Sequence, residues 1–143
     1  MNFKLLNDDK QKTYAIVLDS GEEAMEQILA FANEKKIAAS QFTAIGAFSE
    51  TTVGFFDLTI KDYKKIHFNQ QMEVLSLIGD ITILKDEYKV HGHIVLAKED
   101  GAAYGGHLMK GIVHPTLEII LTGSPAYLQR KMDKDAGIPL IKI

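Results

Sequence analysis

The sequence has no cysteine, no tryptophan and only three prolines. Without cysteine no disulfide can brace the fold and no thiolate can hold a metal, so any bound ion must rely on imidazole or carboxylate. The same absence suits a reducing compartment, and the expected location is cytoplasmic. Arginine is scarce as well: among 16 basic side chains Arg130 alone is an arginine, and the formal net charge is −3. Guanine edges are read bidentately by arginine, and polyanions are held by clustered positive charge, so a lone subunit is a poor DNA binder. The pairs Lys35-Lys36 and Lys64-Lys65 read as solvated surface. The apolar runs at residues 15–18 and 117–121 are too short to span a membrane, and residues 1–9 carry no signal-peptide core. Neither a membrane partner nor a targeting segment is expected.

Several signatures are missing too. There is no GxxxxGK[ST], no GxGxxG after a strand, no GxSxG and no HExxH. No nucleotide cofactor is therefore expected, and any chemistry falls to the histidines.

What is present fits one globular domain over residues 1–143, since a chain of this length, 46% hydrophobic and 24% charged, can bury a single core. Residues 13–18 are β-branched and aromatic and run into Asp19-Ser20-Gly21, the pattern of a strand and turn. A helix follows. Ser20 and Glu23 have capping-box spacing, and Met25, Ile28, Leu29 and Ala32 mark one buried face. From Ser40 the text breaks into short Phe-, Val-, Ile- and Thr-rich segments with connections too short for crossover helices, which predicts a largely antiparallel sheet. Residues 125–135 read as a short helix closed by Gly137-Ile138-Pro139, and residues 140–143 as a terminal strand. The predicted class is α+β: two layers, a predominantly antiparallel sheet and one main helix near the N-terminus.

Three histidines carry the chemistry. His91 and His93 are two residues apart on a predicted strand, so both side chains leave the same face, and Gly92 leaves the opposite face open. His107 lies on the next strand, beyond a turn containing Asp100-Gly101 and just after Gly105-Gly106. A three-residue loop Glu99-Asp100-Gly101 would set Lys98 against Ala102 and His93 against His107, whereas a two-residue loop would turn His107 away unless a bulge restored it. Neutral imidazoles suit zinc, copper, iron and nickel, with zinc the first choice, and three of them leave a position for water or a small-molecule ligand. Such an open position keeps a metal-dependent enzyme among the readings. His114, before Pro115, reads as part of an extended connector, and His67 has no partner nearby in sequence. Glu73, Asp80 and Glu118 are candidates to support a ligand or act in acid–base chemistry, with no ground in the sequence for choosing among them.

The runs Gly46-Ala47-Phe48-Ser49, Val53-Gly54-Phe55-Phe56-Asp57 and Met72 through Ile81, then His91-Gly92-His93, Gly105-Gly106-His107-Leu108 and Pro115-Thr116-Leu117-Glu118, occur in that order over nearly the whole chain. In this it resembles prokaryotic plants-and-prokaryotes-conserved (PPC) domains. The resemblance implies a compact subunit with an antiparallel sheet, assembly as a homotrimer, and a metal held at His91, His93 and His107. It also brings a DNA-binding, transcription-associated label, because in plants this domain follows an AT-hook. No arginine-glycine-arginine element of that kind stands in this chain. A cupin barrel, which also uses HxH and a later histidine, is the competing fold; the short interval to His107 and the early capped helix weigh against it. The apolar residues 140–143 would leave a sticky edge on a lone domain, a second pointer to self-association.

Overall fold

Alternating apolar and polar residues give most of the chain a strand's two faces, and pairing gathers those strands into one sheet around a single core. The computed structural model describes residues 1–7, 11–124 and 128–142. In chain order the elements are β1 (Asn2–Asn7), β2 (Thr13–Asp19), α1 (Ala24–Lys35), β3 (Ser40–Asp57), β4 (Asp62–Phe68), β5 (Met72–Leu84), β6 (Glu87–Ala97), β7 (Ala103–Gly123), β8 (Gln129–Met132) and β9 (Pro139–Lys142). The strand order is β1-β2-β7-β3-β5-β8-β9, with β4 on β3 and β6 bonded to both β5 and β7. Because β6 bridges β5 and β7, the sheet curls closed through β3, β5, β6 and β7. Every pairing is antiparallel except the short contact of β5 with β8. The predicted α+β architecture, largely antiparallel with one helix near the N-terminus, is the observed one.

The core fills with Ile16 and Leu18 of β2, Phe42 and Phe48 of β3, Leu77 and Ile81 of β5, Leu96 of β6, and Leu108, Leu117 and Leu121 of β7. Helix α1 covers them with Ala24, Ile28, Phe31 and Ala32. The predicted stripe is thus turned slightly: Ile28 and Ala32 are buried, while Met25 and Leu29 are only half-buried. Phe31 takes the centre, edge-on to both Phe3 and Tyr14 at ring-centroid distances of 5.2 Å. The cap also differs from expectation. Glu23 is the N-cap, its carboxylate accepting from the Glu26 amide at 2.7 Å and, through its other oxygen, from the Gly111 amide at 2.8 Å. Ser20 bonds His114 instead.

Some of the short segments join into longer strands. Residues on either side of Ser49-Glu50 form one strand, β3, and the connector expected at His114-Pro115 lies within one strand, β7. Their irregular points are shifts of register within continuous pairing. A bulge lets a strand bend without ending, which a segment-by-segment reading mistakes for a loop.

Residues 129–132 are the strand β8, not a helix; residues 125–127 of that predicted helix lie outside the described residues. Tertiary pairing decides this, with the Ile83 amide donating to the Leu128 carbonyl at 2.9 Å and β9 closing a hairpin on β8. The terminal strand is present as β9 at the sheet's edge, Ile143 being outside the described residues. No helix among the described residues is long and apolar enough to cross a membrane.

Candidate metal centre

The β6–β7 connection is the three-residue loop. Gly101 takes φ 79°, its amide donates to the Lys98 carbonyl at 2.9 Å, and the Lys98 amide donates to the Ala102 carbonyl at 3.0 Å. From there the ladder runs without a shift from Ala97 against Ala103 to His93 against His107. Opposed residues share a face, so His107 joins the face His93 already shares with His91. The three rings stand with centroids 5.0 to 5.5 Å apart. One ring nitrogen of each lies within 4.8 Å of the others.

The ground beneath the histidines is shaped by glycine and Phe42. Gly92 pairs with Gly79, and Phe42 sits opposite Gly79 on β3. A β-carbon on Gly79 would strike the Phe42 ring and the His91 carbonyl, and one on Gly92 would come 3.2 Å from Leu77. The face expected to lie open behind Gly92 is therefore packed. Phe42, fully buried, packs from the core beneath Gly79 and Gly92 and so backs the histidine-bearing strand.

Around the trio stand Tyr63, Asp80 and Arg130. Gly54 is opposite both Lys65 and His107, and its missing side chain lets Tyr63 lie across it to meet the His107 ring at 5.0 Å. Asp80 is opposite His91, its Oδ2 3.4 Å from His91 Nδ1. Arg130 of β8 donates to both Asp80 oxygens at 2.8 and 3.0 Å, to Thr82 Oγ1 at 2.9 Å and to the Pro139 carbonyl at 3.1 Å. Neither Tyr63 nor Arg130 was expected here from the sequence. The signal for Arg130 was its solitude: a single guanidinium in a lysine-rich chain is what a carboxylate needing several fixed donors selects.

The electrostatics favour neutral rings at His93 and His107. Burial, then the neighbouring His91, His93 and Arg130, pushes the His107 imidazole down to about 4. Burial and His91 lower His93. For Asp80 burial alone would raise the carboxyl, but bonds from His91 and Arg130, with their charges, hold it below the usual carboxylate range. His107 Nδ1 is buried and makes no hydrogen bond. A buried polar nitrogen without a partner costs roughly 1–3 kcal/mol, and an ion among the three rings would supply the partner.

The other candidates fall elsewhere. His67 bonds Thr52 Oγ1 at 2.9 Å, and His114, inside β7 rather than in a connector, bonds Ser20 Oγ at 2.8 Å. Exposed Glu73 pairs with Ala97, and exposed Glu118 with Val17 and Ile45. Among the described residues His91, His93 and His107 are the one group of three or more His, Asp or Glu placed to share an ion. Only Asp80 of the three acids touches them.

Residues 6–124 match the profile of the Plants and Prokaryotes Conserved (PCC) domain. The chain belongs to this family. Among solved structures it is similar to a PPC protein of Pyrococcus horikoshii, at 31% identity and TM-score 0.87 over 99% of this chain and 95% of that one. A metal-containing protein of Archaeoglobus fulgidus follows at 29% and 0.86, over 99% and 97%. A protein of Bacteroides thetaiotaomicron described as a candidate DNA-binding protein gives 26% and 0.88, over 98% and 96%. Among curated sequences it is similar to the bifunctional protein GlmU of a Synechococcus strain, 29% identical over 129 residues and 88% of this chain. The PCC chain spans about a fifth of the length of the curated relatives it matches.

Proposed function

We propose that this PCC domain is a cytoplasmic homotrimer whose subunits each bind one divalent metal, zinc first among the candidates, through His91, His93 and His107. The observation that carries the reading is the convergence of three imidazoles, one of which buries an unpartnered nitrogen. The donor set fits: neutral nitrogens suit zinc, and three protein ligands leave a coordination position for water or a small-molecule ligand. A tetrahedral zinc with bonds of about 2.0–2.1 Å sets its nitrogens roughly 3.3 Å apart. The 4.8 Å envelope of the free rings is about 1.5 Å wider, so the rings would draw together on the ion. The metal-containing Archaeoglobus neighbour agrees with the reading. At the open position the ion would supply Lewis acidity, so a metal-dependent enzyme is the second reading within the same site.

Trimer formation is supported by the outer face of the sheet. Ile45, Leu75, Ile78 and Ile120 there are 47% to 59% exposed, and the edge strand β9 is also partly apolar. Contiguous exposed aliphatic surface of this kind marks contact faces. The DNA-binding description of the Bacteroides neighbour transfers poorly, because the chain's net charge is −3 and its single arginine is engaged with Asp80.

Elemental analysis of untagged protein, purified without added metal, tests the site. One equivalent of metal per chain, lost in the triple His→Ala variant, is expected. Equal metal content in both proteins would refute it. Light scattering tests assembly, and a monomer mass at micromolar concentration would remove the trimer.

A further inference from the structure

We infer that Asp80 and Arg130 are positioning residues that set the tautomer of His91, Asp80 holding its Nδ1 proton so that Nε2 is free to ligate, and Arg130 holding Asp80. This rests on the metal reading of the trio and adds Arg130, which the family match, ending at residue 124, does not reach.

The geometry at His91 poses a choice. Its Nδ1 faces two groups at nearly equal range, Asp80 Oδ2 at 3.4 Å and the Arg130 guanidinium at 3.3 Å. They ask opposite things of the ring. A carboxylate can only accept, so it favours hydrogen on Nδ1; a guanidinium can only donate, so it favours hydrogen on Nε2 and a bare Nδ1. Only the first tautomer presents a lone pair on Nε2. Pairing a ligating histidine with a carboxylate through its other nitrogen is the general way a protein fixes that choice.

Arg130 by itself therefore opposes metal binding, and its benefit comes through Asp80. The carboxylate takes two contacts from the guanidinium at 2.8 and 3.0 Å, which keep it ionised and fix its oxygens. The guanidinium is in turn immobilised by Thr82 Oγ1 and the Pro139 carbonyl. Its side chain is 10% exposed. Thr82 is fully buried on β5, and Pro139 opens β9, so the β8–β9 hairpin delivers the group that orients Asp80.

Opposed demands on one nitrogen predict non-additive substitutions. Asp80→Ala leaves the guanidinium facing Nδ1 unopposed and should weaken zinc binding by about 100-fold, the upper end for loss of a group supporting a ligand. Arg130→Ala leaves the carboxylate in place and should cost about 10-fold. The double variant should bind zinc more tightly than Asp80→Ala alone, because the group favouring the wrong tautomer is gone.

Zinc affinity is measured by chelator competition for the wild type and the three variants. The tautomer is read from the 15N shifts of His91 in the metal-free wild type. Hydrogen on Nδ1 together with the rescue in the double variant is the expected result. Hydrogen on Nε2 in the wild type overturns the inference, as does a double variant no tighter than Asp80→Ala. Should a variant fail to fold, the wild-type 15N measurement still decides. A wild type that takes up no zinc refutes the metal reading itself, and the 15N shifts then judge the His91 assignment separately.

Discussion

Two hairpins meet at the histidines, and they were encoded in different ways. The β6–β7 hairpin follows from local rules: alternation puts His91 and His93 on one face, and a glycine that accepts φ 79° closes a three-residue loop that aligns His107. The β8–β9 hairpin obeys no local rule. Gln129, Arg130, Lys131 and Met132 are good helix formers, and they lie in a strand because β5, β9 and Asp80 hold them there. The first hairpin places the candidate ligands and the second supports them. A ligand set can thus be legible in a sequence while its supporting groups, recruited across the fold, are not.

The most severe way to break that comparison is to remove a ligand. His107→Ala should weaken metal binding by at least 100-fold, since structural zinc sites distribute about 10–16 kcal/mol over their ligands, or roughly 3 kcal/mol each. His67→Ala, which removes a histidine bonded to Thr52, should leave affinity unchanged. Calorimetric titration with zinc checks both. Similar losses in the two variants would mean that the trio is not the binding site.

A second test moves beneath the histidines. Gly79→Ala drives a methyl into the Phe42 ring and the His91 carbonyl, a backbone group that cannot step aside, and should cost about 3 kcal/mol of stability. Gly92→Ala meets the end of Leu77 at 3.2 Å and should cost about 1 kcal/mol. Urea unfolding of the two variants gives the difference. Equal costs would show that Phe42 does not hold the His91 strand. The sequence announced a glycine at 92 but not the ring filling the space behind it, because Phe42 comes from a different strand.

Acid should act through the histidine-bearing face of the β6–β7 hairpin. His107 is held at about 4 and His93 is also lowered, so between the ordinary histidine value and about pH 4 the unfolded chain binds more protons than the folded one. Stability of the metal-free protein therefore falls as pH drops through that window, and it is fully present above it. Thermal unfolding at pH 7, 5.5 and 4 should show the decline, and His107→Leu should flatten it. An unchanged slope in that variant would place the acid sensitivity in other groups.

The early helix and the antiparallel sheet were legible because they rest on periodicity, which is local. The cap was misplaced because Ser20, three residues from Glu23, satisfies the same spacing rule but turns to His114. The long strands β3 and β7 were read as pieces, since a bulge and a loop look alike without the partner strand.

The smallest effect is the most discriminating for the His93–His107 alignment. Two devices could hold it: the loop, through Gly101, or the pairing of β7 with β3, which sets His107 against Gly54 and Leu108 against Val53. Gly101→Ala separates them. A β-carbon there meets nothing within 4 Å, so the only penalty is the left-handed backbone at φ 79°, worth about 1 kcal/mol for a residue other than glycine. Val53 and Leu108 are buried, and slipping β7 by one residue would turn Leu108 out of the core. Losing that burial costs about 1.5–3 kcal/mol, more than the loop penalty, so the ladder should keep its register and the loop absorb the strain. Gly101→Ala should therefore lower the unfolding midpoint by a few degrees and leave zinc affinity within twofold of the wild type. A tenfold loss of affinity would show instead that the turn holds His107 in place, and that β3 merely accepts the register the turn imposes.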